Sequence, residues 1–469
     1  VKTLVIDLQK AAVTSGKLAS LEIVGNGLSD CVFDEATESY SVGVPVYYED
    51  GDVEKLTYTM PELLATAADA SESAAVVMPQ ALPGIATVRL TNSEGQETGS
   101  YKVHINLLGQ NMYVNGSFER EGIPYGSGAG IVLNKTTENP AVGNQCLEIQ
   151  FKSEPYGFTP TAKLAANKTY LSSRMLRRTT QTIADGTNPN LDIYQRLDGF
   201  GGNHSATFGG QALTAQNVAY VLNLTDDWQT LNVILEPNVD WNDKQMYHTY
   251  SWATWDYLAL DNAFLGEMII GDIAVTANGK ALPNVLSTAA AHQLTLSASA
   301  VNQLGQTDGL AGRVKTESLT LVKAPDGVTL EGGVLTIPQG TKGMLVLQAQ
   351  AVPTTVWSNA PQKSFTKTLH IMLTEDAFSY AAEEDTVDAT LALYYTGETG
   401  LGTLYHAVYD NVDGVLRTVN VTGEPIALLQ NEFICKTTKL QAAQGQVVKS
   451  FILKDGIISP IAPKGTYIR

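Results

Sequence analysis

The sequence predicts an all-β protein of four tandem β-sandwich domains, and three observations carry that prediction. Apolar residues recur at every second position in short runs, as in Tyr40-Ser41-Val42-Gly43-Val44 and Tyr101-Lys102-Val103-His104-Ile105. That period places them on one face of a strand and off the stripe of a helix. Turn pairs such as Asn26-Gly27, Asn115-Gly116, Asp326-Gly327 and Asp413-Gly414 punctuate the runs. Finally, 469 residues exceed one core and divide into three or four domains of about 100–150 residues.

Composition narrows the class. With 44% hydrophobic residues the chain can bury a core, yet no apolar run approaches the roughly 20 residues that cross a bilayer. A net charge of -18 repels phosphate backbones, which argues against nucleic acid as a partner. Cys31, Cys146 and Cys435 lie too far apart for a disulfide framework or a zinc cluster. The chain opens at Val1 with no charged leader, so we expect a mature or excised part of a longer product.

The first domain is expected over residues 1–107. Val1–Leu8 reads as a strand, Leu18–Val24 as another, and Tyr40, Val42 and Val44 share the face of a third, while Pro61–Ala75 admits a short helix. The run Phe33-Asp34-Glu35-Ala36-Thr37, followed by Tyr40, Val42, Val44 and Pro45, resembles the cadherin-like β-sandwich repeat of bacterial surface proteins. Tyr101–Ile105 stands where that repeat has its last strand, and Glu35 replaces its usual proline.

Residues 108–284 form the second expected domain. Met112–Glu119 reads as an apolar strand entering an Asn-Gly turn, Trp228–Leu235 as an alternating strand, and Met268–Val275 as a closing strand with one acid. These landmarks, in this order, resemble the CenC-type carbohydrate-binding modules. The resemblance implies a jelly roll, a polysaccharide or glycan ligand, and one structural calcium held by acids of the first and last strands. Here those acids are Glu119 and Asp272, beside a carbonyl of Asn144 or Gln145. Calcium accepts such mixed oxygen ligands, although two acids alone also fit a solvated rim.

Trp241, Tyr247, Tyr250, Trp252, Trp255 and Tyr257 form the densest aromatic run of the chain. Sugar rings stack their C–H faces on such side chains while amide and imidazole groups bond the hydroxyls. The expected ligand-binding set is therefore Trp241, Tyr247, Tyr250, Trp252, Trp255, Asn242 and His248, against the alternative that these rings fill the core. Trp228 is expected to fill the core. Gly199–His204 and Phe208–Gly210 lack the Lys-Ser or Lys-Thr of a phosphate cradle and read as a loop at the sheet edge over the binding face.

After Asn278–Pro283, read as a linker, residues 285–376 carry short strands between Gly and Asp turns, as in Ala324–Ile337. They resemble an Ig-like module of exported glycan-degrading proteins. Residues 377–469, with Leu404–Asp410, Asp413–Leu416 and Val447–Leu453, resemble an Ig-like or fibronectin-like C-terminal sandwich of clostridial surface proteins.

The sequence contains no His-Glu-x-x-His, no Gly-x-Ser-x-Gly elbow and no P-loop. All four resemblances imply domains without catalysis. The expected function is a non-catalytic extracellular or cell-surface glycan-binding and spacer protein of a Gram-positive bacterium, possessing no catalytic residues and serving as the accessory region of a larger glycoside hydrolase. The alternative is a structural subunit of a surface layer, adhesin stalk or fibre that self-associates through sheet edges.

Overall fold

The computed structural model describes residues 15–29, 31–123, 131–151, 161–179, 193–196, 200–215, 219–245, 250–251, 257–316, 319–357, 360–362, 364–374, 377–395, 398–430, 432–456, 460, 462 and 464–469. Among the described residues the only helical pieces are the 3-10 turns Glu49–Gly51 and Thr355–Trp357. The protein is all-β, built from several separate sheets. Val1–Leu8 lies outside the described residues.

Two compact units divide the chain. The first comprises Val1–Asp272, Ala300–Lys315 and Val352–Phe365. At its start, Ser39–Pro45, Glu97–Leu108, Gly84–Thr91 and Ser73–Val77 form a four-stranded sheet in that order. Tyr40, Val42, Val44, Val88, Val103 and Ile105 alternate inward from it and pack with Leu18, Leu21 and Leu63 of the Leu18–Val24 and Glu62–Ala67 pair. The stretch Pro61–Ala75, which admitted a short helix, forms the strand Glu62–Ala67, a turn and the start of Ser73–Val77 instead. Leu63, Ala65 and Ala67 all pack on this core, a period of two that only a strand satisfies.

The larger sheet of the first unit has seven strands. In spatial order they are Gln211–Leu213, Gly202–Phe208, Gln229–Pro237, Tyr170–Arg178, Tyr257–Glu267, Cys146–Phe151 and Ile131–Thr136. A three-stranded sheet sets Ile193–Arg196 between Ala219–Leu222 and Tyr250–Ser251, and Thr161–Leu164 pairs with Trp241–Gln245. Leu147, Leu176, Leu222, Leu231, Leu260 and Phe118 belong to the buried core cluster.

Four expectations are corrected in this region. Met112–Glu119 is a turn, with Asn115 and Phe118 at positive φ (58° and 63°), and Phe118 buried as its anchor. Met268–Val275 does not close this sheet: its strand, Ile270–Ala277, neighbours Lys280–Ala281 and His292–Asn302. The strand that lies among the seven is Tyr257–Glu267. Gly202–Phe208 is a strand of the large sheet, and Gly209-Gly210, both at positive φ, turn it into Gln211–Leu213. Asn278-Gly279 is likewise a hairpin turn, joining Ile270–Ala277 to Lys280–Ala281, where a linker was expected.

Polar side chains tie the later segments of the first unit to its body. Gln303 is fully buried: its amide donates to the carbonyls of Glu267 (2.9 Å) and Gly109 (3.4 Å) and accepts from the Ile269 N–H (3.2 Å). Asp308 accepts from the Thr207 hydroxyl at 2.7 Å and the Asn232 amide at 3.1 Å, and Gln362 brackets the backbone of Ile270.

The second unit comprises Ile273–Ser299, Thr316–Ala351 and Thr366–Arg469. Its C-terminal part stacks Phe378–Glu383, Thr386–Tyr395 and Glu432–Gln441 against Val415–Leu428, Gly400–Val412, Val447–Lys454 and Gly465–Ile468. Leu391, Leu404, Ile434 and Ile452 fill the space between. Inside it His406 donates to or accepts from Ser450 Oγ at 2.8 Å through Nδ1, while Nε2 has no partner among the described residues.

Candidate functional site

Register in the three-stranded sheet decides which residues share a face. Tyr220 and Leu222, two apart on one strand, are buried in the core. They pair with Gln195 and Ile193, so those positions belong to the core-facing side. Tyr194 pairs with Tyr250 on one flank and with Val221 on the other. By alternation these three positions belong to the side turned away from the core. Two tyrosine positions are therefore direct cross-strand partners in the backbone register. Tyr250 was expected in the binding set; Tyr194 was missed because nothing in its neighbourhood is aromatic.

Trp241 is the correction. It is 3% exposed and packs against Phe200 at 4.8 Å between ring centroids. His204 joins the same region, edge-on to Phe200 and Tyr220, with Nδ1 2.7 Å from the Tyr220 hydroxyl. Burial holds the His204 pKa below its ordinary value. Strand alternation turns Trp241 inward, so it supplies core volume and no stacking face. Trp228, expected in the core, is only half-buried. Its indole N–H donates to the Asn139 carbonyl at 3.0 Å, and the Arg177 guanidinium lies 5.1 Å from its ring centre. Tyr247, His248, Trp252 and Trp255 lie outside the described residues; Asn242 and Tyr250 are placed as strand positions only.

The two acids expected to hold calcium occupy different surroundings. Asp272 sits on Ile270–Ala277, and its charge adds to burial in pushing the Tyr47 hydroxyl up. Glu119 accepts from the Asn144 and Gln145 N–H groups at 2.6 and 2.8 Å. The acid it acts on is Asp261, from Tyr257–Glu267. Asp261 is fully buried; its Oδ2 accepts from Ala141 and Val142 N–H at 2.9 and 3.1 Å, its Oδ1 from Asn262 N–H at 2.7 Å. Burial pushes its pKa up to about 7 against the pull of those N–H groups, and the Glu119 charge adds to the rise. Burial and then the Asp261 charge push the neighbouring Cys146 thiol up to about 12.

This donor set has the oxygen chemistry a divalent cation takes, but five backbone N–H groups already point at those oxygens. It does not complete a cage, since among the described residues no group of three or more His, Cys, Asp or Glu gathers. Further oxygens would have to be backbone carbonyls or water. One signal in the sequence marks Asp261: a single acid in the middle of Tyr257-Leu258-Ala259-Leu260, Asn262-Ala263-Phe264-Leu265.

No protein-family model matches the chain, and no curated protein matches it. Several solved structures are similar at low identity. The CBM22-1–CBM22-2 tandem domain of Paenibacillus barcinonensis Xyn10C is 12% identical, over 71% of this chain and 85% of that one, with a TM-score of 0.25. The BSP domain of a biofilm-associated protein is 10% identical over 82% of this chain and 74% of that one, TM-score 0.15. The arabinose-bound MgGH51 α-L-arabinofuranosidase is 16% identical over 30% of this chain, which spans 23% of that enzyme, TM-score 0.21. Among the described residues no helix is long and apolar enough to cross a membrane.

Proposed function

We propose that this chain is a non-catalytic, extracellular or cell-surface glycan-binding protein whose middle sandwich meets the polysaccharide and whose other sandwiches act as spacers. The observation that carries the reading is the cross-strand pair of Tyr194 and Tyr250 positions on the side of the sheet away from the core. In that reading the tyrosine rings stack on sugar C–H faces, which contributes affinity with little sequence of hydroxyls specified. A calcium ion at Glu119 and Asp261, in place of the Glu119 and Asp272 pair first expected, holds the 141–145 loop against the large sheet.

The test is affinity electrophoresis of the full chain through gels of neutral polysaccharides. Retardation in at least one gel, lost in a Tyr194→Ala/Tyr250→Ala variant of unchanged circular dichroism, is the expected result. Free migration in every gel, or equal retardation of the variant, overturns the reading.

One observation favours the structural-subunit alternative. Val415–Leu428 is the outer strand of its four-stranded sheet, 14 residues long, and exposes Val415, Val419 and Val421. Long exposed apolar edges invite pairing with another chain. Sizing by light scattering separates the two: a monomer at micromolar concentration removes this alternative.

A further inference from the structure

We propose that a polar pocket of ≈ 410 Å³ in the first unit, lined by Asn167, Asn203 and Asn238, is a second binding site that takes one neutral sugar residue. It is argued from its own lining and stands apart from the tyrosine pair.

Four separate chain segments line the pocket, and backbone hydrogen bonds lock three of them together. Asn167 sits in a left-handed turn (φ 61°), and its N–H donates to the Pro237 carbonyl at 2.8 Å. The Asn238 N–H donates to the Gly201 carbonyl at 2.9 Å. Gly202, at φ 145°, lets its strand begin hard against Glu236: a Cβ there would stand 2.1 Å from the Glu236 carbonyl oxygen. The site is therefore held in shape before any ligand arrives, which limits the ordering cost of binding.

The charges that line the pocket are already spent. Lys168 Nζ lies 2.9 and 2.8 Å from the two Glu267 carboxylate oxygens. Glu236 Oε1 accepts from Arg313 at 2.8 Å. Neither leaves a net charge to select an ion. What remains free is neutral: the side-chain amides of Asn167, Asn203 and Asn238 are at the exposed surface and make no hydrogen bond within the described residues. A carboxamide offers both donors and acceptors, and a sugar hydroxyl is likewise both, so the two match without any proton change. Pro237 and the buried ring of Trp357 add apolar wall, as the C–H face of a sugar requires. The volume falls within the roughly 300–1,000 Å³ typical of small-molecule sites.

Saturation-transfer NMR on the full chain tests the proposal. The probes are the methyl glycosides of glucose, galactose and xylose, a soluble neutral polysaccharide of each type, and glucuronate and glucosamine as charged controls. Saturation transfer to at least one neutral probe is expected in the Tyr194→Ala/Tyr250→Ala background, where the tyrosine pair is absent. A response from the glycosides identifies a chain end or free sugar, a response from the polysaccharide alone an internal unit. Each of Asn167→Ala, Asn203→Ala and Asn238→Ala should weaken binding about 5-fold, the loss of one net hydrogen bond. Since these side chains are exposed, the fold should survive, and circular dichroism verifies it. No transfer to any neutral probe, equal transfer to a charged control, or undiminished transfer in the triple variant overturns the proposal. Free migration of the unsubstituted chain in every gel, or equal retardation of the tyrosine variant, with this pocket response intact refutes the tyrosine reading alone.

Discussion

Asp261 makes the sharpest test of the physical reasoning. Its carboxyl is fully buried and its folded pKa is raised from 3.8 to about 7. The folded state thus holds a proton that the unfolded chain has already released. The stability this contributes is complete below the unfolded value and lost as pH rises through about 7. Three units at about 1.36 kcal/mol each give ~4 kcal/mol between acidic and mildly alkaline conditions. Other groups titrate in the same range, so the informative quantity is the difference between wild type and Asp261→Asn, whose side chain cannot ionise. In EDTA, the variant should gain on wild type by up to ~4 kcal/mol between about pH 4 and pH 8. Urea unfolding followed by tryptophan fluorescence reads it, because all five tryptophans fall within the residue ranges of the first unit. Calcium at millimolar concentration should shrink the gain at high pH by stabilising the ionised wild type. A difference that does not change with pH, or one that grows toward acid, refutes the argument; an unchanged gain in calcium refutes the ion alone.

Further outcomes follow from the same structure. Trp241→Ala should cost about 3–5 kcal/mol, as expected for emptying an indole from a packed core, and lower the melting temperature of the first unit; a variant that melts like wild type would show the ring is not in the core. Burial lowers the pKa of His406, so its contribution to stability is present above the unfolded value near 6.5 and lost as pH falls through the folded value. Calorimetry of His406→Gln against wild type should show a difference that shifts in favour of the variant toward acid, and a pH-independent difference would contradict this.

The strands were legible wherever one face meets a core and the other meets water. Tyr40, Val42 and Val44 show this, as do Val103 and Ile105, because period-two alternation is written into their order. Legibility failed where that condition fails. Gln229–Pro237 lies between two neighbours and buries residues on both faces, so its apparent alternation did not describe it. The run Met112–Glu119 looked like a strand because it is apolar, yet its burial comes from a turn around Phe118. Glu119 and Asp272 were expected as a calcium pair, and Asp261 gave no comparable signal: Asp272 and Asp261 both sit among aliphatic residues, and only sheet pairing tells them apart. The pocket amides gave no signal at all, since Asn167, Asn203 and Asn238 meet through tertiary folding and each looks like an ordinary turn or surface residue.

The first unit draws on Ala300–Lys315 and Val352–Phe365 as well as on the chain up to Asp272. Anyone cloning the large seven-stranded sheet by itself with a stop near residue 284 would therefore discard Gln303, Asp308 and Gln362. The carbonyls of Glu267, Gly109 and Ile270 that these amides satisfy, and the Thr207 and Asn232 donors facing Asp308, would be left stranded at the cut. Such a fragment should express as inclusion bodies, and because the segments of the two units alternate along the chain, a soluble expression clone needs to run to Arg469.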